Sequence, residues 1–223
     1  MTKSISRVRR SKAQAQRAYD RMSRWYDLIA GSSEWPFVRD GLELLQPRPN
    51  ERILDLGCGT GRAIEQLMTC LQETGQAVGL DLSRGMLHAA RKRNLDPRQP
   101  NPPDFVLGDG ASLPFSNQSF DALFMSFTLE LFDTPDIPRV LQECRRVLRS
   151  HGRIIVVAMA QIDPKPLIVR LYEWAHNHFP QFIDCRPIYA AHSLQTAGFE
   201  LEQTAHTLMW GLPVDLLRAR MPA

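Results

Sequence analysis

The chain has 223 residues, 43% of them hydrophobic and 23% charged, with a formal net charge of +3. That size suits one α/β domain with added segments, the small charge makes no case for nucleic acid, and no run approaches the ~18 apolar residues of a membrane span. The cysteines, at positions 58, 70, 144 and 185, form no CxxC pair, which points to reduced thiols of a cytoplasmic protein, with no disulfide or zinc framework and no metal.

In chain order, Lys3, Arg7, Arg9, Arg10 and Lys12 precede the first acid, Asp20. Such a run is usually a solvated terminus; weak peripheral contact with an anionic membrane surface is the sharper alternative. The Ala-Gln-Ala-Gln-Arg that follows has no apolar core, so no signal peptide is expected. Residues 13–30 place Ala18, Tyr19, Met22, Trp25, Tyr26 and Ile29 at helical spacing. Gly31-Ser32-Ser33 breaks that stripe. Pro36 marks the start of a second helix carrying Phe37, Val38, Leu42 and Leu45, and Pro47 and Pro49 end it.

From Arg52 the pattern alternates. Strands are expected at 52–56, 77–81, 105–108, 120–126 and 153–158, and helices at 61–71, from Ser83 to about Arg93, and at 137–148. Strands without polar alternation, separated by helices, imply a parallel sheet covered on both faces. A further helix is expected within 161–188, where Ile168, Leu171, Tyr172 and Ala175 repeat. Another spans 189–197 and stops at Gly198. Residues 200–210 and 214–220 read as a hairpin joined by Gly-Leu-Pro, with an antiparallel strand. The expected organisation is one domain over 1–223: basic tail and helical lid to 50, cofactor-binding core 51–160, acceptor-side insertion 161–188, and C-terminal helix and hairpin 189–223.

The loop after the first strand reads "ILDLGCGTG", with Gly57, Gly59 and Gly61 on alternate positions. A dinucleotide fingerprint needs a small residue at its last position, where this chain has Arg62, and Asp55 would repel a pyrophosphate. A carboxylate there suits a cationic ligand or amine donors. Asp81 ends the second strand, where it can accept ribose hydroxyls, and Asp109 follows the third, where it can accept from an adenine amino group. Each acid alone is as readily a turn or cap residue. The three in order describe a cationic nucleoside.

"ILDLGCGTG", "GLDLS", "GDGASLPF", "SFDALFMSF" and "RVLRSHGRIIV" together resemble the successive motifs of class I S-adenosylmethionine-dependent methyltransferases, over about residues 17–220. Within that class the chain is most similar to the ubiquinone/menaquinone-biosynthesis C-methyltransferase branch. The resemblance implies a Rossmann-like, seven-stranded, mostly parallel sheet with helices on both faces and an N-terminal helical lid. It also implies S-adenosyl-L-methionine as cofactor. Gly57, Gly59 and Gly61 would then lie in the cofactor loop, Asp55 near the amino group, Asp81 on the ribose, and Leu82 on the adenine. Asp109, with Gly110 and Ala111 beside it, would read the adenine amino group, and Ser126 would sit near the sulfonium. "YDRMSRWYD" resembles the lid helix, which would put Tyr19 and Tyr26 over the cofactor; packing of an amphipathic helix is the alternative. Ser150-His151-Gly152 departs from the Lys/Arg-Pro-Gly-Gly usual in relatives.

Methyl transfer from a sulfonium is an in-line displacement, helped most by positioning. A ring carbon ortho to a phenol also needs a general base, for which Glu130 and His176 (with His178 nearby) are candidates. Phe127, Glu130, Arg186 and Tyr189 are candidate acceptor contacts. Leu129, Leu131 and the apolar face of 167–175 are candidate pocket walls. The expected acceptor is small or lipid-like, a quinone-type ring carbon first. N-methylation of a phospholipid or small amine, and a non-catalytic S-adenosylmethionine-binding module, remain alternatives. Asp55 and Arg62 disfavour a nicotinamide oxidoreductase. The oligomeric state stays open.

Overall fold

A computed structural model describes residues 7–8, 11–23, 25–27, 31–164, 166–178 and 185–222, the side chains of 32, 173 and 175–178 excepted. Its elements run α1 (Lys12–Met22), α2 (Ser32–Leu45), β1 (Arg52–Leu56), α3 (Arg62–Leu71), β2 (Gln76–Asp81), α4 (Arg84–Arg93), β3 (Asp104–Leu107), β4 (Phe120–Ser126), α5 (Ile137–Val147), β5 (Leu148–Met159), α6 (Leu167–His178), α7 (Ala190–Thr196), β6 (Glu200–Met209) and β7 (Leu212–Arg220). A single 3-10 turn, Leu129–Leu131, follows β4.

The strands form one sheet in the order β3-β2-β1-β4-β5-β7-β6. Neighbours from β3 to β5 are parallel, and β7 runs antiparallel between β5 and β6. Apolar side chains of the sheet divide between two buried clusters. One takes in Ile137, Val140, Leu141 and Cys144 of α5 and Leu194 of α7. The other takes in Phe37 and Leu45 of α2, Ile64 and Leu67 of α3, Leu87 of α4 and Val169 of α6. Both faces are therefore covered, as the runs of apolar residues in β1, β4 and β5 require.

Beyond shifts of a single residue, the first helix ends at Met22 and not near residue 30, the second begins at Ser32 with Pro36 inside it, and two strand boundaries differ for local reasons. β5 starts at Leu148, five residues early, because Leu148 pairs with Phe120 before a bulge that brings Arg153 opposite Ala122. His151 takes φ +62° inside that bulge. The final hairpin turns on Trp210-Gly211, with φ +52° and +81°, not on Gly-Leu-Pro. A two-residue turn with both φ positive matches the twist of its strands, so Leu212 and Pro213 join β7, and the Pro213 carbonyl accepts the Ala160 N–H at 2.8 Å.

Strand order reverses between β1 and β4. Open α/β sheets bind ligands at such a switch point, beyond the carboxyl ends of the strands. Gly61 sets the start of α3 beside it. With φ +77°, it starts α3 where an added Cβ would come within 2.7 Å of Asn94 Nδ2 and 2.9 Å of Ala90 Cβ. Both strain and collision oppose a side chain, so Gly61→Ala should lower the unfolding free energy by about 1–3 kcal/mol, read by urea denaturation.

Candidate active site

A cleft opens at the switch point, and its floor is backbone. The carbonyl of Leu80, on β2, accepts the N–H groups of Gly57 (2.8 Å) and Cys58 (3.1 Å). Asp81 Oδ2 accepts the Gly59 N–H at 2.9 Å, and its Oδ1 accepts the Ser83 N–H at 2.8 Å. The loop after β1 is thus tied to the end of β2. Gly57 (φ +79°) abuts the Thr128 side chain across the switch point, whereas an added Cβ on Gly59 (φ +51°) would meet nothing within 4 Å. Gly59 leaves open space directly over the loop, where a ligand can touch backbone.

The cleft has two connected compartments that share Tyr26, Gly57, Gly59 and Ser126. The larger is lined by Asp81, Leu82, Asp109 and Gly110 on one side and by Phe127, Leu131 and Phe132 on the other, beneath Tyr19 and Tyr26. The smaller holds Asp55, Thr60 and Arg62. Asp55 is buried and its Oδ2 has no hydrogen-bond partner. Burial, with a smaller contribution from the Asp81 charge, pushes its carboxyl from 3.8 up to about 8. Burial also raises the Asp81 carboxyl, against the N–H groups of Ser83 and Gly59 that favour its charged form. Buried orphan oxygens are costly, and this one suits the ammonium of an amino-acid moiety. An acid at each strand end, glycine backbone left open, and apolar walls fit a cationic, phosphate-free nucleoside such as S-adenosylmethionine.

Other predicted residues are used differently. Gly61 stands outside the cleft lining, as a helix start. Ala111 is buried in the core and donates its N–H to Asp109 Oδ1 at 3.0 Å. Asp109 Oδ2 is paired with Lys12 Nζ at 2.5 Å. Burial raises the Asp109 carboxyl, but Lys12 and the Ala111 N–H together outweigh it, so it lies below the usual range. Arg7 forks Asp133 at 2.6–2.9 Å. The described part of the basic N-terminus is therefore a strap across the cleft and not a free tail. Lys3, Arg9 and Arg10 lie outside the described residues.

Ser126 lines both compartments, with its buried Oγ unpartnered. Phe127 turns the chain at φ +48°, locked by its N–H to the Val157 carbonyl (2.8 Å) and by an edge contact with Phe37. An aromatic residue in this region stores about 1–3 kcal/mol.

The acceptor-side expectations need larger corrections. Glu130 is neither a surface carboxylate nor part of the cleft lining. It is fully buried, its Oε1 accepts the Met159 N–H at 3.1 Å, and burial pushes its carboxyl up to about 8. Arg186 is also buried, donating to the Phe132 carbonyl at 2.6 Å and to Thr134 Oγ1 at 3.2 Å. It braces the segment after β4 and is no open anion clamp. Tyr189 donates its hydroxyl to Asp163 at 2.6 Å, away from the cleft. Leu129 is core. Leu167, Leu171 and Trp174 of α6 face outward, and among the described side chains of that helix only Val169 is fully buried. His176 and His178 lie on α6, but their side chains are outside the described residues.

Sequence reasoning missed Lys12, Arg7, Met86, Gly108, Thr128, Phe132 and Asp133. The ion pairs join residues 97 and 126 positions apart, and no local pattern announces them. The odd Arg62 carried a signal that could have been followed. Its Nη1 donates to the Gly31 carbonyl at 2.6 Å and its guanidinium stacks on Trp35, holding the segment after the lid helix.

The profile of the family described as "Methyltransferase domain" matches residues 53–152. The demethylmenaquinone methyltransferase of Thermotoga maritima is 32% identical over 178 residues, 78% of this chain and 74% of that protein. The ubiquinone/menaquinone biosynthesis C-methyltransferase UbiE of Rhizobium rhizogenes is 32% identical over 144 residues, 63% of this chain and 55% of that protein. Among solved structures, the putative methyltransferase in complex with the Haloferax volcanii Trm112 activator superposes with TM-score 0.75 at 19% identity, covering 92% of this chain and 98% of the other. The 1,6-didemethyltoxoflavin-N1-methyltransferase of Burkholderia thailandensis gives TM-score 0.71 at 17% identity, covering 98% and 95%. These structures match in fold.

The buried acids set a pH dependence. An unfolded chain ionises Asp55 and Glu130 near 4, whereas the ligand-free fold keeps both protonated up to about 8. The folded state then binds more protons across that window, so its stability falls as pH rises from about 4 to 8 and levels off above. Asp55→Asn should flatten part of that slope in urea titrations across the range. An unchanged slope would mean that Asp55 ionises normally.

Proposed function

Because this chain belongs to the S-adenosylmethionine-dependent methyltransferases, we propose that it methylates a small, lipid-like acceptor, a quinone-type ring carbon, at Ser126. The supporting observation is the asymmetry of the cleft. Acids line the side of β1 to β3, and Phe127, Leu131 and Phe132 line the side of β4. The curated relatives named for menaquinone and ubiquinone methylation favour the same acceptor.

S-adenosylmethionine would supply the methyl group: the new bond to the quinol ring carbon forms as the sulfonium S–C bond breaks, leaving a neutral thioether, and the displaced ring proton passes to solvent water. The chain's own residues supply the positioning. Asp55 Oδ2 would hold the amino group, ionising to do so. Asp81 would take the ribose hydroxyls while keeping Gly59 and Ser83. Leu82, Gly110 and the two tyrosines would enclose the base, and Asp109 would read its amino group in place of Lys12. Phe127 and Phe132 keep water from the acceptor ring, which strengthens polar contacts within the cleft. Glu130 fastens the 3-10 turn to β5 through Met159 and is a positioning residue, not the base.

Incubating the enzyme with a demethylated quinol and S-adenosylmethionine should yield a C-methylated quinol by mass spectrometry. Methylation only of amines in a lipid extract would move the acceptor assignment to nitrogen. Calorimetry should show cofactor binding with proton release below pH 8, as Asp55 ionises, and Asp81→Ala should weaken it about 100-fold or more. Glu130→Gln keeps the acceptor oxygen for Met159 and should leave kcat within about threefold. A hundredfold fall with cofactor affinity intact would instead make Glu130 the proton acceptor.

A further inference from the structure

Away from the cleft, several of the large exposed hydrophobic side chains lie on α6 and the β6–β7 hairpin, while Trp25, Leu95 and Leu107 are exposed elsewhere. On α6, Leu167 (79% exposed), Leu171 and Trp174 recur at helical spacing and point outward, opposite fully buried Val169. Ile168 leans on the β6–β7 hairpin, its Cδ1 3.1 Å from where a Gly211 Cβ would stand. Beside Gly211, Trp210 is 73% exposed and Leu208 64%. The apolar surface therefore runs continuously from α6 to the hairpin tip. A contiguous apolar patch on a folded protein marks a docking surface.

Its location and chemistry select the partner. Val214 pairs with Met159, the last residue of β5, and Leu212 with Met209. The hairpin tip thus projects past the carboxyl end of β5, the edge of the sheet at which the cleft opens. Two indoles flank the patch, a side chain that settles between headgroups and acyl chains. Exposed Arg170 stands between Leu167 and Trp174 in the sequence of α6, matching anionic headgroups. The same helix also carries Glu173, whose side chain lies outside the described residues. The nearby acid Asp163 is held by Tyr189.

We propose that the outer face of α6 and the tip of the β6–β7 hairpin seat this protein on an anionic lipid bilayer, with the cleft edge toward the membrane. The proposal rests on the lipid-like acceptor reading, since a bilayer at that edge delivers such an acceptor without passage through water. The face belongs to the acceptor-side segment and the hairpin, and differs from the basic N-terminus, where Arg7 and Lys12 are spent on Asp133 and Asp109.

Co-sedimentation of the full chain with phosphatidylcholine vesicles, with and without phosphatidylglycerol, tests it. The wild type should bind the anionic vesicles. Trp174→Ala/Trp210→Ala, both exposed and remote from the cofactor side, should lower the partition coefficient about tenfold or more. Arg170→Glu should weaken binding to anionic vesicles only. Circular dichroism and S-adenosylmethionine binding of the variants should match the wild type. Failure of the wild type to sediment would overturn the proposal, as would unchanged binding of the double variant. A dimer in sedimentation velocity that the double variant dissolves would assign the face to a second copy and overturn it too. Turnover of a short-chain, water-soluble quinol, expected to be equal in wild type and double variant, separates the two readings. Vesicle binding with no turnover of any quinol would sink the acceptor assignment and leave the docking face standing.

Discussion

The carboxyl edge of the sheet depends on one capture. The Leu80 carbonyl and the Asp81 carboxylate, at the end of β2, take three successive N–H groups from Gly57, Cys58 and Gly59 as the chain leaves β1. Buried N–H groups must find acceptors, and here the acceptors come from the neighbouring strand. The loop is therefore held flat, with Gly59 facing open space. The same carboxylate accepts from Ser83, which caps α4 through Met86 N–H and donates its hydroxyl to Asp20 of the lid helix at 2.6 Å. A single hydrogen-bonded path runs from the first glycine to the lid. The charge on Asp81 orders the floor before it meets any ligand.

That arrangement stores unfavourable free energy where ligands bind. Asp55 Oδ2 and Ser126 Oγ are buried without partners, and Phe127 holds a left-handed backbone. Each costs on the order of 1–3 kcal/mol in the empty fold. All three line the cleft, Phe127 its larger compartment, Asp55 its smaller one and Ser126 both. A ligand that supplies an ammonium to Asp55 recovers part of this cost, so binding should also stabilise the fold. Arg153 shows the opposite economy at the amino-terminal side of β5. It is buried and fully engaged, forking Glu51 at 2.7 and 2.8 Å and donating to the carbonyls of Leu45 and Gln46.

Much of this was legible in the sequence because it is local. Periodicity and apolar runs place the strands, β1 and β4 to the residue. The spacing of Gly57, Gly59 and Gly61 behind Asp55, followed by Asp81 and Asp109, marks the cofactor side. What failed to show is non-local or depends on depth. "SFTLELF" puts Glu130 after a strand whether it faces solvent or core, and only packing against Met159 decides. The helix at 167–178 is apolar on more than one side, so periodicity could not say which face is inward. Lys12 and Arg7 look like any basic terminus until Asp109 and Asp133 are seen across the cleft. The turn at Trp210-Gly211 was misread because Gly-Leu-Pro resembles a loop, whereas the positive φ pair that makes the turn begins one residue earlier.

The two sets of ion pairs explain how one molecule can be rigid at one edge and open at the other. The Arg153–Glu51 fork has side-chain exposures of 10% and 12%, while Arg7–Asp133 has 67% and 22% and Lys12–Asp109 has 50% and 31%. Exposed pairs are screened and contribute roughly 0–1 kcal/mol. A strap held by two such pairs crosses the cleft without being locked over it. The buried fork ties the end of α2 and the residue before β1 to β5. The exposed strap pairs share no residue with the Leu80 and Asp81 contacts that define the floor.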